Sequence, residues 1–513
     1  KGHVGEDAQR LLRVGFQSRL LPLVGDTPKS GRLIRWSDVY REAELYKAAV
    51  RVYTKPLFLW RKALHVSTDG KTLYDLAARG LNGLAEMHRQ LRDRSFHFRP
   101  SVGLKYNFNG KRRTLYIPPW EERIVDLLLY RLLNARLHRW FSSSSYAYRD
   151  RMYSLDRCQA RIAHILRSTW RPIYVVKRDI KDYFASVDHE VLLAQLASHV
   201  DSKDYLFDLF SERIRFEYQD ESGSHRAHIG IPFGCASACV LANLYLTELD
   251  RAIESIPDVH YFRYADDLLV FSSSQDGAVT AIERMEMVLS KLRLTTKESH
   301  GQDLLLAPSR VTENGRFRCD SSFRHLGLQF CCGGVTSLSR DKSRKIQNLF
   351  RFAFRRSRRR WKKISDPGER ARTLVAIASQ TIDRGVRNVA ILDYYLRHVT
   401  DLSQLRLLDR WLAEEILSLV FGGHRKGNFA RIGFDDLRRF GLPSLVHRHR
   451  LIRHGKIESP FFIWQQQKIG RAFKGTVASR KSSAVFDFSR NPEAAAHEKS
   501  AGEDGRLYTG AME

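Results

Sequence analysis

The sequence predicts an α+β fold that continues into an all-helical C-terminal region. Between residues 98 and 330, short apolar segments typical of strands alternate with segments of helical periodicity. From Asp341 onward, apolar residues recur at helical spacing. The chain has 513 residues, 43% of them hydrophobic. This is too long for one compact core, so we expect about two to four subdomains.

The N-terminal elements follow from capping residues, turn residues and apolar periodicity. Ser37 is a candidate N-cap, and Pro118-Pro119 ends a hairpin whose turn is predicted at Asn109-Gly110. Residues 1–30 are expected to be irregular. The predicted elements are helices over 37–50, 73–94, 121–141 and 236–256, hairpins over 103–117 and 260–271, and a buried strand over 173–176.

The C-terminal helices are predicted to be amphipathic and basic. One face of the helix that begins at Asp341 carries Ile346, Leu349, Phe350, Ala353 and Trp361, and the other faces carry Arg351, Arg355, Arg358, Arg359, Arg360, Lys362 and Lys363. A charge run is usually a solvated face, but cations with so few acidic partners favour a surface that lies against phosphates. Further helices are expected through 421, one of them capped by Asp401 with Gln404, and again over 435–454 after a basic turn.

The positive charge of the chain bears on its partners. Lys and Arg number 86 against 57 Asp and Glu, a formal net charge of +29. Such an excess suits a polyanion binder, because each neutralised phosphate releases counterions. Membrane-surface binding is the alternative, but no apolar run approaches the roughly 20 residues that span a bilayer, and no signal-like segment opens the sequence. With 11% aromatic residues available for base stacking, we expect a nucleic-acid partner and no membrane partner.

The cysteines argue against two kinds of scaffold. The chain has six, without Cys-x-x-Cys pairs or paired His spacing. This pattern disfavours structural zinc and a disulfide framework, and it indicates a reducing, cytoplasmic environment.

Two adjacent acidic residues are the first candidate for chemistry. Asp266 and Asp267 lie in the turn between two apolar strands, within the YADD stretch at 264–267. Neighbouring like charges repel, so a fold that directs both to one point needs a cation there, and Mg²⁺ takes carboxylate and phosphate oxygens. The alternative is a solvated turn, in which Asp is common.

Asp179 is the candidate third carboxylate. It follows the buried strand over 173–176 and precedes aromatic residues. Nucleotide transfer uses two metal ions about 4 Å apart, which two adjacent carboxylates cannot hold alone. The alternative role for Asp179 is to cap the next helix.

Six segments, in the same order along the chain, resemble the motifs of bacterial reverse transcriptases of the group II intron and retron lineage. They are KRRTLYIP at 111–118 with Glu122-Arg123 (fingers), SYAYR at 145–149 (near the template), DIKDYF at 179–184 (motif A), GIPFG at 230–234 with Ala242-Asn243 behind it (motif B), YADD at 264–267 (motif C) and FRHLGL at 323–328 (primer grip). The resemblance implies a right-hand polymerase fold and covers about residues 98–330.

The resemblance also implies roles for the site residues. Asp179, Asp266 and Asp267 would be catalytic and, with Ile180, would bind two Mg²⁺ ions, with Mn²⁺ as a substitute. The residues implied at the dNTP are Lys111 and Arg113 on the triphosphate, Phe184 as an aromatic gate against the ribose 2′-hydroxyl, and Ile180, Phe233 and Gly234. The residues implied at nucleic acid are Arg149, Gly327 and the basic Arg351, Arg355, Arg358, Arg359 and Lys362.

Two positions depart from the family pattern. Motif B usually has Gln followed by Gly-Ser-Pro, whereas this chain has Phe233, Gly234, Cys235 and Ala236. The resemblance places this position beside the nascent base pair, so an apolar ring there argues against ordinary templating. Motif D usually supplies a Lys as proton donor to pyrophosphate, and here His300 and Lys297 are the two candidates.

The implied domain organisation has five parts. Residues 1–100 would be an N-terminal helical region leading into the fingers, 101–335 the reverse transcriptase fingers and palm, and 336–421 a helical thumb. Residues 422–478 would form a basic helical unit, and 479–513, which lack an apolar pattern, a mobile tail.

The implied function is RNA-directed DNA synthesis with dNTPs in the bacterial cytoplasm, copying a structured non-coding RNA that serves as template or scaffold. GLPSL at 441–445 and the basic stretch 447–453 resemble the C-terminal region of antiphage, abortive-infection-type reverse transcriptases. The sequence shows no endonuclease-like Cys/His cluster, which favours this defence branch.

Two alternatives remain open. One is a maturase-like RNA-binding protein with a vestigial polymerase site. The other is a weakly templated or protein-primed DNA polymerase, for which Tyr508 is a candidate hydroxyl. The primer, a homo-oligomeric state, the phage trigger and the template sequence are also left open.

Overall fold

A computed structural model describes residues 33–54, 66–67, 69–108, 111–149, 153–169, 171–297, 303–308, 317–384, 393 and 395–456. The predicted Asn109-Gly110 turn, the irregular segment 1–30 and the tail from 479 lie outside these residues. The chain divides into two compact units. Among described residues, the first contains 33–154 and 176–297, and the second contains 155–175 and 303–456.

Helices and strands alternate through the first three hundred residues. In chain order they are α1 (Trp36–Val39), α2 (Glu42–Thr54), α3 (Leu73–Ala78), α4 (Gly80–Arg92), β1 (Ser101–Phe108), β2 (Lys111–Ile117), α5 (Trp120–Leu137), α6 (Leu155–Ser168), β3 (Ile173–Asp179), α7 (Tyr183–Ser186), α8 (His189–Ala197), α9 (Tyr205–Ile214), β4 (Glu217–Asp220), β5 (Gly223–Arg226), α10 (Ser237–Tyr245), α11 (Thr247–Glu254), β6 (Val259–Tyr264), β7 (Asp267–Ser272) and α12 (Gln275–Lys291).

Short strands and then helices complete the described chain. They are β8 (Leu304–Leu306), β9 (Arg318–Asp320), β10 (Ser322–His325), β11 (Leu328–Cys331), a 3₁₀ turn (Cys332–Gly334), β12 (Thr336–Leu338), α13 (Arg340–Arg356), α14 (Arg358–Trp361), α15 (Pro367–Arg384), α16 (Leu402–Phe421), α17 (Asn428–Arg431), α18 (Phe434–Arg439) and α19 (Leu445–Arg453).

The first unit contains a four-stranded sheet and the paired-carboxylate hairpin. The sheet has the order β2-β1-β4-β5, in which β1 is antiparallel to β2 and parallel to β4. Strands β6 and β7 are antiparallel, with Tyr264 opposite Asp267, and β7 neighbours β3. Every residue of α10 is buried. A helix buried on all sides belongs to the centre of a core, and Asn243 of α10 accepts a hydrogen bond from Arg263 of the hairpin.

The second unit contains small sheets and the C-terminal helices. The start of β3 pairs antiparallel with β8, which pairs parallel with β9. Strands β10, β11 and β12 form a separate antiparallel sheet. The core side of the basic helix α13 consists of Ile346, Phe350 and Phe354, and Trp361 of α14 is also buried.

Several predicted helices are divided in the structure. The segment 37–50 contains two helices, and Arg35 rather than Ser37 is the N-cap of the first. Breaks at Arg79 and Leu246 divide 73–94 and 236–256, and residues 440–444, which include Pro443, divide 435–454. The basic helix ends at Arg356, and the Trp361 indole N–H donates to the carbonyl of Phe354 across the break.

The primer-grip segment is a hairpin rather than one strand. Strands β10 and β11 join through Leu326 and Gly327, whose φ angles are +47° and +83°. The positive φ at Gly327 favours glycine in this turn, and a Cβ there would lie 3.0 Å from the Tyr395 ring. The predicted Asp401 cap is confirmed, since its carboxylate accepts from the N–H groups of Ser403 and Gln404.

Among the described residues, no helix is both long enough and apolar enough to cross a bilayer.

Candidate active site

Asp179 and the YADD turn meet at one edge of the first unit. Strand β3 ends at Asp179, and the β6–β7 turn consists of Ala265, with φ of +57°, and Asp266. The Ile180 N–H donates to the backbone carbonyl of Asp266 at 3.2 Å. This bond ties the end of β3 to the turn, so the carboxylates from two distant segments share one site.

A buried ion pair supports the YADD turn from below. Arg263 and Asp250 are both fully buried and form a two-point contact, with N···O distances of 2.7 and 2.6 Å. Arg263 also donates to Asn243 Oδ1 at 3.1 Å and to the Ala265 carbonyl at 3.3 Å. The guanidinium therefore joins the turn to the helices α10 and α11 behind it. Our sequence reasoning missed this pair, although an Arg in an otherwise apolar strand was a signal for it.

The carboxylates of the site repel one another. Burial, and then the charge of Asp179, raises the pKa of Asp266 above its ordinary range. Burial likewise raises the pKa of Asp267 to about 6, against the opposing effect of the Lys177 ammonium. A neighbouring positive charge would therefore stabilise the ionised forms of Asp266 and Asp267.

Lys297 supplies part of that positive charge. Its ammonium forms an ion pair with the Asp179 carboxylate, and its backbone N–H donates to the Asp179 carbonyl at 2.9 Å. Of the two motif D candidates, Lys297 thus lies at the Asp179 carboxylate, whereas His300 lies outside the described residues. Its role as a proton donor stays a prediction.

The donor chemistry of the site fits a hard divalent cation. Within the described ranges, no three His, Cys, Asp or Glu side chains are grouped closely enough to hold a metal unaided. The three carboxylates nevertheless share one edge, where a lysine ammonium already contacts one of them. Mg²⁺ characteristically combines one or two carboxylates with substrate phosphates and water, and that mode needs no closed protein cage.

Aromatic rings line the approach to the carboxylates. The half-buried Phe184 ring lies 5.4 Å from Phe233 and 6.1 Å from Tyr148, centroid to centroid, with its plane nearly perpendicular to both. The Arg113 guanidinium lies 5.6 Å from the Phe233 ring centroid. Arg113, Phe184 and Phe233, which motif resemblance nominated separately, therefore form one contiguous surface.

Gly234 is required by the backbone. Its φ is +108°, and a Cβ there would lie 2.5 Å from Leu115 Cδ1. Any other residue would meet both strain and overlap with β2. Its predicted contact with a nucleotide stays a prediction. Lys111 begins β2, and its side chain lies outside the description.

The structure gives Arg149 a structural role. Its guanidinium donates to the carbonyls of His138, Ser142 and Ser145 and lies 3.5 Å from the Tyr153 ring centroid. These contacts shape the loop after α5. These donors are directed at the protein's own backbone, and the contact of Arg149 with nucleic acid stays a prediction.

The basic residues of α13 and α14 belong to the second unit. Arg351 is engaged there, 3.1 Å from Glu415 and 5.2 Å from the Trp411 ring centroid. Arg355 is exposed on α13. Arg358, Arg359, Lys362 and Lys363 line a surface recess of about 420 Å³, which we call the basic recess.

Comparisons with known proteins agree on one family. The family described as "Reverse transcriptase (RNA-dependent DNA polymerase)" matches residues 69–330, just over half of the chain. Protein YkfC of Escherichia coli is 24% identical over 313 residues, covering 50% of this chain and 80% of YkfC. The group II intron-encoded protein LtrA of Lactococcus lactis is 25% identical over 144 residues, covering 28% of this chain and 23% of LtrA.

The intron-encoded relatives are much longer than the matched region. The chain spans between 20% and 24% of their length. Among solved structures, apo telomerase from Candida tropicalis is 12% identical with a TM-score of 0.39, covering 73% of this chain and 69% of that one.

The family match confirms the fold class predicted from the motifs, an α+β right-hand polymerase that continues into helices. The matched segment contains the end of β3, the YADD turn and the aromatic surface beside them. The chain belongs to the reverse transcriptase (RNA-dependent DNA polymerase) family.

Proposed function

We propose that this protein is an RNA-directed DNA polymerase that joins dNTPs by metal-dependent nucleotidyl transfer. The observation that carries the proposal is the meeting of Asp179 with the YADD turn through the bond between Ile180 and Asp266. The raised pKa values of Asp266 and Asp267 support it, because they mark a site that is electrostatically incomplete without a cation.

We propose a role for each residue of the site. Asp179, Asp266 and Asp267 would hold Mg²⁺ (Mn²⁺ as a substitute), which when bound supplies Lewis-acid stabilisation of phosphate charge. Arg113 is exposed beside the carboxylates and binds triphosphate oxygens. Lys297 offers an ammonium that can neutralise the departing pyrophosphate. Phe184 presents a ring against which the sugar packs.

RNA binding is assigned to the basic recess. Its four cations are all exposed. They project from two successive turns of one short segment, and Trp361 anchors that segment in the core. A-form RNA is recognised mainly through its phosphates and shape. A cluster of exposed cations that contacts phosphates suits this mode of recognition better than side chains that read base edges.

Neutralising the basic recess should weaken RNA binding in a salt-dependent way. We change Arg358, Arg359, Lys362 and Lys363 all to Gln. The magnitude of the slope of log K against log salt should then fall by about 3, because each lost phosphate contact reduces that magnitude by about 0.7–0.9. Filter binding of a structured RNA across a salt series measures this slope.

The control for that variant changes exposed arginines of the same unit. Arg438 and Arg439 of α18 are 67% and 79% exposed and are paired with Asp435 and Asp436. Changing both to Gln should leave the slope nearly as in the wild type. Equal slopes for the recess variant and the wild type would exclude the recess from the RNA interface.

We also propose a biological setting for the polymerase. We place the polymerase in the bacterial cytoplasm, in an antiphage defence system, copying a structured non-coding RNA. Phe233 in motif B and the basic helical C-terminal region support this placement, as does the resemblance of 441–453 to defence-associated reverse transcriptases. The protein-primed alternative is favoured by the same apolar ring, and Tyr508 lies outside the described residues.

Sequencing of co-purified nucleic acid tests the proposal. RNA and DNA bound to the wild type would be compared with those bound to the Asp266→Asn/Asp267→Asn variant. We expect one defined RNA with both proteins and complementary DNA with the wild type alone. DNA present equally with both would refute templated synthesis at this site, and DNA released only by protease would favour protein priming.

A further inference from the structure

Three other aromatic rings pack against the ring of Phe184, which lies in the short helix α7. Phe233 contacts it at 5.4 Å with an interplanar angle of 79°, and Tyr148 contacts it at 6.1 Å and 89°. Tyr183 lies 5.7 Å away at 76°. Edge-to-face pairs of this kind are attractive beyond the burial of apolar area, so they favour one orientation of the ring.

Backbone bonds fix Phe233 relative to Phe184. The Ile231 N–H donates to the Phe184 carbonyl at 2.8 Å, and the Gly230 N–H donates to the Val187 carbonyl at 2.7 Å. On the other side, the Tyr116 N–H donates to the Phe233 carbonyl at 3.0 Å. The loop that carries Phe233 is thus bonded both to the segment that carries Phe184 and to β2.

A buried polar cluster holds the far end of the same loop. Asp126 of α5 accepts from the Ala236 N–H at 2.5 Å and from the hydroxyl of Ser237, at the start of α10. Arg213 is almost fully buried, lies 3.3 Å from Asp126 and donates to the Cys235 sulfur at 2.7 Å. Burial raises the pKa of the Cys235 thiol to about 12, so the sulfur stays protonated near neutral pH.

The position of Phe233 is therefore set on both sides, and its side chain has no hydrogen-bonding group. It can contact a nucleotide through its ring alone, and that ring also contacts Phe184 and the Arg113 guanidinium. Without this ring, Phe184 would lose one of the neighbours that keep it from rotating.

We propose that Phe233 is a positioning residue for sugar discrimination. Its ring holds Phe184 in the orientation that excludes a 2′-hydroxyl, and the buried Asp126–Arg213 pair holds the loop that presents Phe233. This inference rests on the proposed polymerase function, since it concerns the nucleotide of that same site.

The test compares Phe233→Ala and Phe233→Tyr with the wild type. The first measurement is the ratio of kcat/KM for dATP to that for ATP. Loss of one ring contact should lower this ratio about threefold to tenfold in Phe233→Ala, and Phe233→Tyr, which keeps the ring, should restore it. A purely structural role would reduce the amount of folded enzyme and leave the ratio unchanged.

A double-mutant cycle with Phe184→Ala separates action through Phe184 from independent action. If Phe233 acts through Phe184, Phe184→Ala/Phe233→Ala should discriminate no worse than Phe184→Ala alone. Multiplicative losses in the double variant, or a wild-type ratio in Phe233→Ala, would overturn the proposal.

A binding measurement distinguishes failure of the proposed role of Phe233 from failure of the proposed polymerase function. The rise in melting temperature with Mg-dATP and with Mg-ATP is compared for the wild type and Phe233→Ala. We expect a larger rise with dATP for the wild type and a smaller difference for the variant. If the wild type binds selectively but incorporates no dNTP, polymerase function fails while the role of Phe233 stands. An unchanged difference in Phe233→Ala overturns the role of Phe233 alone.

Discussion

Replacing both carboxylates of the YADD turn, in the variant Asp266→Asn/Asp267→Asn, is expected to abolish nucleotide incorporation while stabilising the metal-free protein. The loss should be at least about a thousandfold in kcat/KM, because metal-held charge stabilisation is worth several kcal/mol in the transition state. Primer extension on an RNA template measures it. RNA affinity should change little, since the basic recess retains its cations.

The stabilisation of that variant should depend on pH. In the folded protein Asp267 has a pKa of about 6, raised from its ordinary value by burial. The folded state therefore binds this proton more tightly than the unfolded chain does. Its contribution is fully present below the unfolded pKa and is lost as pH rises through about 6, a loss of about 3 kcal/mol for a shift of about two units.

Melting temperatures of the metal-free proteins test the pH dependence. The difference between the Asn variant and the wild type should be small at pH 4.5 and should grow to pH 7. Asp258→Asn is a matched control, because Asp258 is exposed before the same hairpin and its φ of +56° suits Asn. A variant that incorporates dNTPs, or one no more stable than wild type at pH 7, would contradict the assigned electrostatics.

Asp250→Asn is expected to destabilise the first unit strongly. Asp250 and Arg263 are both fully buried, and the change removes the charge that compensates the guanidinium. Breaking a buried pair from one side typically loses about 3–5 kcal/mol. For a unit of this size we expect a fall in melting temperature on the order of 10 °C.

The control for Asp250 lies on the same helix. Glu248 is 52% exposed and lies 3.9 Å from Lys291, so Glu248→Gln should alter stability by less than about 0.5 kcal/mol. Calorimetry of the full chain gives both values. If Asp250→Asn melts within a degree or two of Glu248→Gln, Arg263 does not depend on this partner, and the support assigned to the YADD turn is wrong.

Local pattern was sufficient for the strands that carry the candidate carboxylates. The apolar run that ends at Asp179 and the hairpin around Asp266 and Asp267 both formed where periodicity placed them. Boundaries of helices were less predictable. Helical periodicity continues across Ser357 and Leu246, but the helices end there. At the first break the Trp361 indole N–H donates to the Phe354 carbonyl, a contact that periodicity alone does not predict.

The bonding partners of individual side chains could not be read from the sequence. Arg149 occupies a motif position that suggested a template contact, yet it bonds to carbonyls within its own loop. Asp126 and Arg213 had no local signature, because an acidic residue within a helical pattern usually lies on the solvated face. Only the packing of α5 against the start of α10 shows that these charges are buried and paired.

The sequence by itself determined the fold class and the order of the motifs, and it predicted which residues carry the chemistry. Periodicity and turn chemistry depend on neighbours a few positions apart, and such information is complete in a single chain. The tertiary structure decided which charges meet. Lys297 contacts Asp179, Asp250 holds Arg263 beneath the YADD turn, and Phe233 holds Phe184. Electrostatic and ring contacts act over a few ångströms in space, whatever the separation along the chain, so only folding could establish them.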